Sequence, residues 1–108
     1  MDDEERARRF GAALDAAWEA WRSEAHYTWK RYKQMVRTYG AVGTVKRQVV
    51  KAGVSPGFRT LHKADRLDLT MEALVLRPDF APLFSPEEQA AARKRLWDHG
   101  WSLDDRRT

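Results

Sequence analysis

The stretch SPEEQAAARKRLWDHGW, residues 85–101, carries the clearest beginning and end of a secondary-structure element in this chain. Ser85 and Glu88 have the spacing of a capping box, in which each side chain accepts a hydrogen bond from the other's backbone N–H. A proline follows Ser85, at the first helical position, where no backbone donor is needed. Gly100 is suited to the position after a helix where the backbone is commonly left-handed. The stretch therefore predicts a helix over about 86–98.

Apolar residues at helical spacing extend this interpretation toward the N-terminus. Ser55 precedes a proline and predicts the cap of another helix, and Thr70 is a second candidate cap. Gly40 and Gly43 interrupt the apolar pattern, which is typical of a helix break. We expect helices over about 3–22, 24–39, 43–52, 56–64 and 67–75. Ser23 would cap the second helix, but the first two helices could also form one long rod, and the sequence leaves that choice open. The predicted fold is all-α, a compact single-domain bundle of about five to six short helices.

The composition limits the possible chemistry and the compartment. The 108 residues include no cysteine, which excludes disulfides, thiolate zinc sites and cysteine nucleophiles and favours a reducing cytoplasm. No apolar run approaches the roughly 18 residues of a membrane span. The acidic start, MDDEERARRF, is unlike a signal peptide. We therefore expect a cytoplasmic protein without a membrane segment.

The charges are distributed unevenly along the chain. Residues 22–66 carry eleven Lys or Arg and two acids, whereas residues 1–21 and 67–108 are each net acidic. A basic block of this kind predicts a polyanionic partner, most often nucleic acid, although a solvated helix face is the alternative. The candidate phosphate-binding residues are Lys30, Lys33, Arg37, Lys46, Arg47, Lys51, Arg59, Lys63 and Arg66. The pattern does not distinguish DNA from RNA.

Aromatic residues lie between these bases. Trp29, Tyr32 and Tyr39 share the apolar stripe of the second predicted helix, so we expect them in the core. Tyr27 lies off that stripe and is the better candidate for stacking on a base.

Two turn-like motifs in the same block are weaker signals. Gly53 lies between two short predicted helices, as in a helix-turn-helix, but Arg59 and His62 occupy positions that such a motif needs to be apolar. The spacing therefore argues against a standard helix-turn-helix. The Gly40–Gly43 pair resembles the loop of a KH domain, yet no strands are predicted to build that fold.

Catalytic chemistry has little support in the sequence. No nucleophile, phosphate-loop or metalloprotease motif is present. The histidines are His26, His62 and His99, and they are scattered along the sequence. The candidate acidic set is Asp65, Asp68, Glu72 and Asp79. It lacks further ligands at metal-binding spacing, and Asp68 is expected to cap a helix or pair with Arg66 or Arg77. We expect a protein that is not an enzyme and that uses no cofactor or metal.

Residues 39–96 resemble a family of small bacterial all-helical proteins. The resemblance rests on YGAVGTVKRQVV at 39–50 and on the pattern GFxxL, RLDLTxEALVL, LFxxxE and ARxRL within 57–96. No activity is established for this family, so the resemblance carries no catalytic residue over. It implies a helical fold, a bacterial cytoplasmic origin and an association with defence and mobile-element neighbourhoods. On this basis we divide one domain into Trp-rich N-terminal helices (1–38), a family-like helical core (39–103) and a frayed tail (104–108).

A second function class fits the tryptophans. Exposed aromatic side chains can anchor a protein partner, so the alternative is an interaction module: an adaptor, an inhibitor or a small subunit of a bacterial complex, including a defence-related one. Homodimerisation through the first helix is a variant of this alternative, and the oligomeric state stays open. The candidate anchors are Trp18, Trp21, Trp97 and Trp101.

Overall fold

The computed structural model describes residues 2–51 and 53–101, and for residues 21–29 and Pro56 it describes the backbone without the side chains. Four α-helices lie in this part of the chain: α1 (Asp3–Val49), α2 (Pro56–Lys63), α3 (Met71–Val75) and α4 (Pro86–Asp98). Two short 3-10 turns, Leu67–Leu69 and Ala81–Leu83, precede α3 and α4. No strand occurs in the described residues, and the predicted all-α class is confirmed.

Helix α1 cannot be straight. A straight helix of 47 residues would be about 70 Å long, whereas the longest dimension of the molecule is 34 Å. The Trp18 and Tyr32 rings stack with their centroids 5.5 Å apart. In a straight helix these two residues would lie about 21 Å apart along the axis. The chain therefore reverses direction between Trp18 and Tyr32.

A second reversal follows at Gly40, whose backbone has a φ of +79°. Beyond it, the Arg47 guanidinium lies 4.0 Å from the centroid of the Tyr39 ring. The Gln48 side-chain amide also donates to the Met35 sulfur at 3.7 Å. This second contact requires the chain to turn back, because thirteen residues of straight helix would separate the two by about 20 Å. We refer to residues 3–20, 30–39 and 41–49 as the first, second and third arms of α1.

The predicted helices therefore correspond to arms of one hydrogen-bonded helical segment. The expectation of a break at the Gly40–Gly43 pair is met by the bend at Gly40. The alternative of one straight rod over the first two helices is wrong, because the stacked Trp18 and Tyr32 rings require a turn. The proposed cap at Ser23 lies outside the described side chains.

An aromatic cluster of the core joins the first arm of α1 to the rest of the chain. The buried Phe10 ring meets Phe80 and Phe84 edge-on, at centroid distances of 5.2 and 5.3 Å. Such edge-to-face pairs add roughly 0.5–1.5 kcal/mol to the gain from area burial. Val45 and Val75 are fully buried in the same cluster. The first two arms of α1 therefore share their core with the described part of residues 39–101, and the predicted tail over 104–108 lies outside the described residues.

The short helices begin where local sequence predicted. The Ser55 hydroxyl accepts a hydrogen bond from the Phe58 N–H, and the Thr70 hydroxyl accepts one from the Ala73 N–H. Thr70 is thus the N-cap of α3. The sequence predicts one helix over about 67–75, whereas the structure has a separate 3-10 turn over Leu67–Leu69 before α3.

Both ends of α4 are also confirmed. The Ser85 hydroxyl accepts from the Glu88 N–H at 3.1 Å, and the Glu88 carboxylate accepts from the Ser85 N–H at 2.8 Å. At the other end Gly100 has a φ of +83°. The Trp101 N–H then donates to the Leu96 carbonyl oxygen at 2.9 Å, as in a Schellman motif. Within the described residues, no helix combines the length and apolar character that crossing a bilayer requires.

Candidate nucleic-acid interface

The second arm of α1 presents its bases to solvent. Tyr32 is buried against Trp18 and fixes which face of the arm points to the core. Lys30, Lys33 and Arg37 lie around the opposite side and are exposed. The neighbouring Arg31 is exposed as well. The predicted basic stripe is therefore a surface feature of this arm.

Two contacts place the other segments that carry predicted bases beside this arm. The Arg47 guanidinium lies on the Tyr39 ring, at the end of the second arm. Near the beginning of the arm, Tyr32 and Ser55 line one small cavity, which places the first turn of α2 beside the arm. Arg47, Lys51, Arg59 and Lys63 are all exposed. We call the exposed Lys and Arg side chains of residues 30–63 the basic surface.

Lys46 belongs to the fold rather than to this surface. Its ammonium donates to the Glu88 carboxylate at 2.9 Å and lies 5.6 Å from the centroid of the Phe84 ring. Burial alone would raise the pKa of the Glu88 carboxyl. The Ser85 N–H and the Lys46 ammonium together outweigh burial and hold that pKa below its usual value. Lys46 therefore neutralises an acid of the α4 capping box, 42 residues away, and no sequence pattern indicated this partner.

Arg66 is exposed, but its charge is paired locally. The guanidinium donates to both carboxylate oxygens of Asp68, at 3.1 and 3.2 Å. This confirms the expected pairing of Asp68 with a neighbouring arginine. The pair makes Arg66 the weakest of the exposed candidates for a phosphate contact.

Tyr39 is exposed, and the expectation that it lies in the core is wrong. The apolar stripe of the second arm reaches the core through Tyr32, but the arm ends at the bend of Gly40, and 47% of Tyr39 stays accessible to solvent. Tyr32 is buried, as predicted. The side chains of Tyr27 and Trp29 lie outside the described residues.

A buried polar cluster lies beneath this surface, and sequence reasoning missed it. Glu72 is only 3% exposed, and the Arg95 guanidinium donates to its carboxylate at 2.7 Å. Burial raises the pKa of the nearby Tyr32 hydroxyl, and the negative charge of Glu72 adds to that rise, while the adjacent Ser55 hydroxyl opposes it. The available signal was an acid inside the otherwise apolar α3, because a buried carboxylate requires a cation.

The same elements enclose a small cavity. Trp18, Tyr32, Ser55 and Glu72 contribute to its lining, and its volume is about 10 Å³. That volume accommodates about one water molecule, so the cavity has no room for a substrate.

The four candidate tryptophan anchors have different surroundings. Trp18 is 1% exposed and belongs to the core, so its expected availability to a partner is wrong. Trp97 is 67% exposed on α4. Trp101 is half-buried and packs against a second core cluster around Phe58. The side chain of Trp21 lies outside the described residues.

Two histidines that are distant in sequence meet in the fold. The rings of His62 and His99 contact edge-on, with centroids 5.1 Å apart, and His99 also packs edge-on against Phe58. The His99 Nδ1 atom lies 2.7 Å from the Arg95 carbonyl oxygen. Among the described residues, no three histidine or acidic side chains converge on a point that could hold a metal ion. The His26 side chain lies outside them.

Comparison with protein-family models, with curated proteins and with solved structures gave no match to this chain. The resemblance of residues 39–96 to a bacterial helical family stays a prediction.

Proposed function

We propose that this protein binds nucleic acid through contacts between phosphates and its basic surface. One observation carries the proposal. From residue 25 to residue 64 the sequence contains no Asp or Glu, and every Lys or Arg described there except Lys46 is exposed. A solvated face that serves only solubility normally mixes both signs of charge.

The arrangement of the bases adds support. The second arm is bordered at one end by the Arg47–Tyr39 contact and at the other by the beginning of α2. Exposed bases therefore occur on the second arm and on the two helical segments that lie beside it. Each base that meets a phosphate releases condensed counterions, so the binding is strong at low salt, falls as salt rises and depends little on base sequence.

A charge-reversal pair tests this proposal. The Lys30→Glu/Arg37→Glu variant changes two exposed bases of the second arm. We expect at least a tenfold loss of affinity for a labelled oligonucleotide near 0.1 M salt, and a salt slope reduced in magnitude by about 1.5–2. Fluorescence anisotropy measures both quantities.

The matched control is Arg77→Glu/Arg93→Glu. It makes the same change in net charge at two exposed arginines outside the basic surface. We expect this control to retain most of the affinity, and circular dichroism should show that both variants are folded. Equal losses in the two variants would mean that net charge, rather than the basic surface, determines binding, and the proposal would then be wrong.

A further inference from the structure

Tyr39 is an exposed aromatic residue at the junction of two basic arms. The residue is 47% accessible and stands immediately before the bend at Gly40. Exposed bases lie on both sides of it along the chain: Arg37 in the second arm and Arg47 in the third. A tyrosine left at the surface here forgoes the burial that its apolar ring would gain in the core.

The Arg47 guanidinium lies over this ring. Its central carbon lies 4.0 Å from the ring centroid, well within the range of a cation–π contact. The contact holds two flat groups together at the surface, and one of them carries a positive charge. Aromatic rings and arginine planes are the groups on which proteins stack unpaired nucleobases.

We propose that Tyr39 and Arg47 form a stacking site for an unpaired nucleobase, so that the ligand of the basic surface is a single strand. This inference rests on the proposed function and gives it a substrate class. In a duplex the faces of the bases are already stacked on their neighbours, and only their edges are accessible in the grooves. In a single strand a base can turn onto the Tyr39–Arg47 site while the adjacent phosphates meet Arg37 and the other bases.

The experiment separates base stacking from phosphate contact. Anisotropy titrations compare a single-stranded DNA, a single-stranded RNA and an abasic DNA strand of equal length, which keeps the phosphates and lacks the bases. We expect wild-type protein to bind the base-bearing strands about five- to a hundredfold more tightly than the abasic strand. Tyr39→Ala should remove that preference, leave the abasic affinity unchanged and leave the salt slope unaltered.

Two further variants make the test specific. Tyr39→Phe keeps the flat ring and should keep the preference. Trp97→Ala removes another exposed aromatic side chain, on α4, and should also keep it. Equal wild-type affinity for base-bearing and abasic strands would overturn the stacking inference, and so would an undiminished preference in folded Tyr39→Ala. Both results would leave phosphate binding intact, whereas failure of wild-type protein to bind any strand would overturn the proposed function itself.

Discussion

Arg95 connects three parts of the fold through one guanidinium. It donates to the Glu72 carboxylate of α3, and it also donates to the backbone carbonyl oxygens of Gln48 and Lys51, near the end of α1. Carbonyl groups at a helix C-terminus have no partner within the helix, so a cation there is favourable. This side chain from α4 therefore neutralises a buried acid and also fixes the end of the third arm.

Replacing Arg95 should destabilise the protein strongly. Arg95→Met leaves the Glu72 carboxylate buried without a cation, and breaking a buried pair in this way costs about 3–5 kcal/mol. Urea unfolding followed by circular dichroism measures the loss. The double variant Glu72→Leu/Arg95→Met should lose less than the sum of the two single variants, because it leaves no uncompensated charge.

Lys94→Met is the matched control for this prediction. Lys94 pairs with Asp98 at 2.8 Å on the same helix, but both side chains are exposed. Its loss should cost no more than about 0.5 kcal/mol. If Arg95→Met were as stable as this control, the assigned role of the buried pair would be wrong.

At the scale of elements, α1 shows how one helical segment can wrap a core. Gly11 in the first arm lies against Ala41 in the third, where a Cβ added at Gly11 would lie 3.6 Å from the Ala41 Cβ. The first and third arms therefore pack closely through small residues. The bend that permits this packing uses a left-handed backbone at Gly40, a conformation that residues with a Cβ rarely adopt.

Two glycine substitutions should have opposite effects on the free energy of unfolding. Gly40→Ala places a Cβ on a backbone with φ +79°, which should cost about 1–2 kcal/mol even though nothing lies within 4 Å of that Cβ. Gly11→Ala makes only an ordinary contact and removes backbone freedom from the unfolded chain, so it should be neutral or stabilising by up to about 1 kcal/mol. Thermal and urea unfolding give both values. A Gly40→Ala variant as stable as wild type would contradict the left-handed bend.

A helix end can be predicted from the sequence when it depends on nearby residues, and the course of a helix cannot when it depends on residues far apart in the sequence. The capping box at Ser85 and the left-handed glycine at Gly100 depend only on residues a few positions away. Their sequence patterns were therefore enough to predict both ends of α4. The course of α1 depends on which distant residues meet, such as Phe10 with Phe84. Helical periodicity marks an apolar face but does not say how the arms turn. For the same reason the sequence did not predict that Tyr39 is exposed, although it lies on the same apolar stripe as the buried Tyr32.

At the scale of the molecule, the uneven charge of the sequence appears as a basic surface over a core that extends from Phe10 in the first arm to Ala92 in α4. The type of residue at that surface was predictable, because Lys and Arg are rarely buried without a partner. The internal roles of Lys46 and Arg95 were not, since their acids lie 42 and 23 residues away in sequence. Sequence composition thus predicts the candidate surface, and tertiary contacts determine which bases are available in it.

The most direct test of the central claim is a fluorescence-anisotropy titration of labelled single-stranded DNA and RNA with wild-type protein over a series of salt concentrations. With four to six phosphate contacts to a single strand, the logarithm of the association constant should fall with the logarithm of the salt concentration, with a slope of about −3 to −4. Binding of micromolar or better affinity with that slope would support phosphate recognition by the basic surface. Absence of binding at low salt, or a slope near zero, would contradict it.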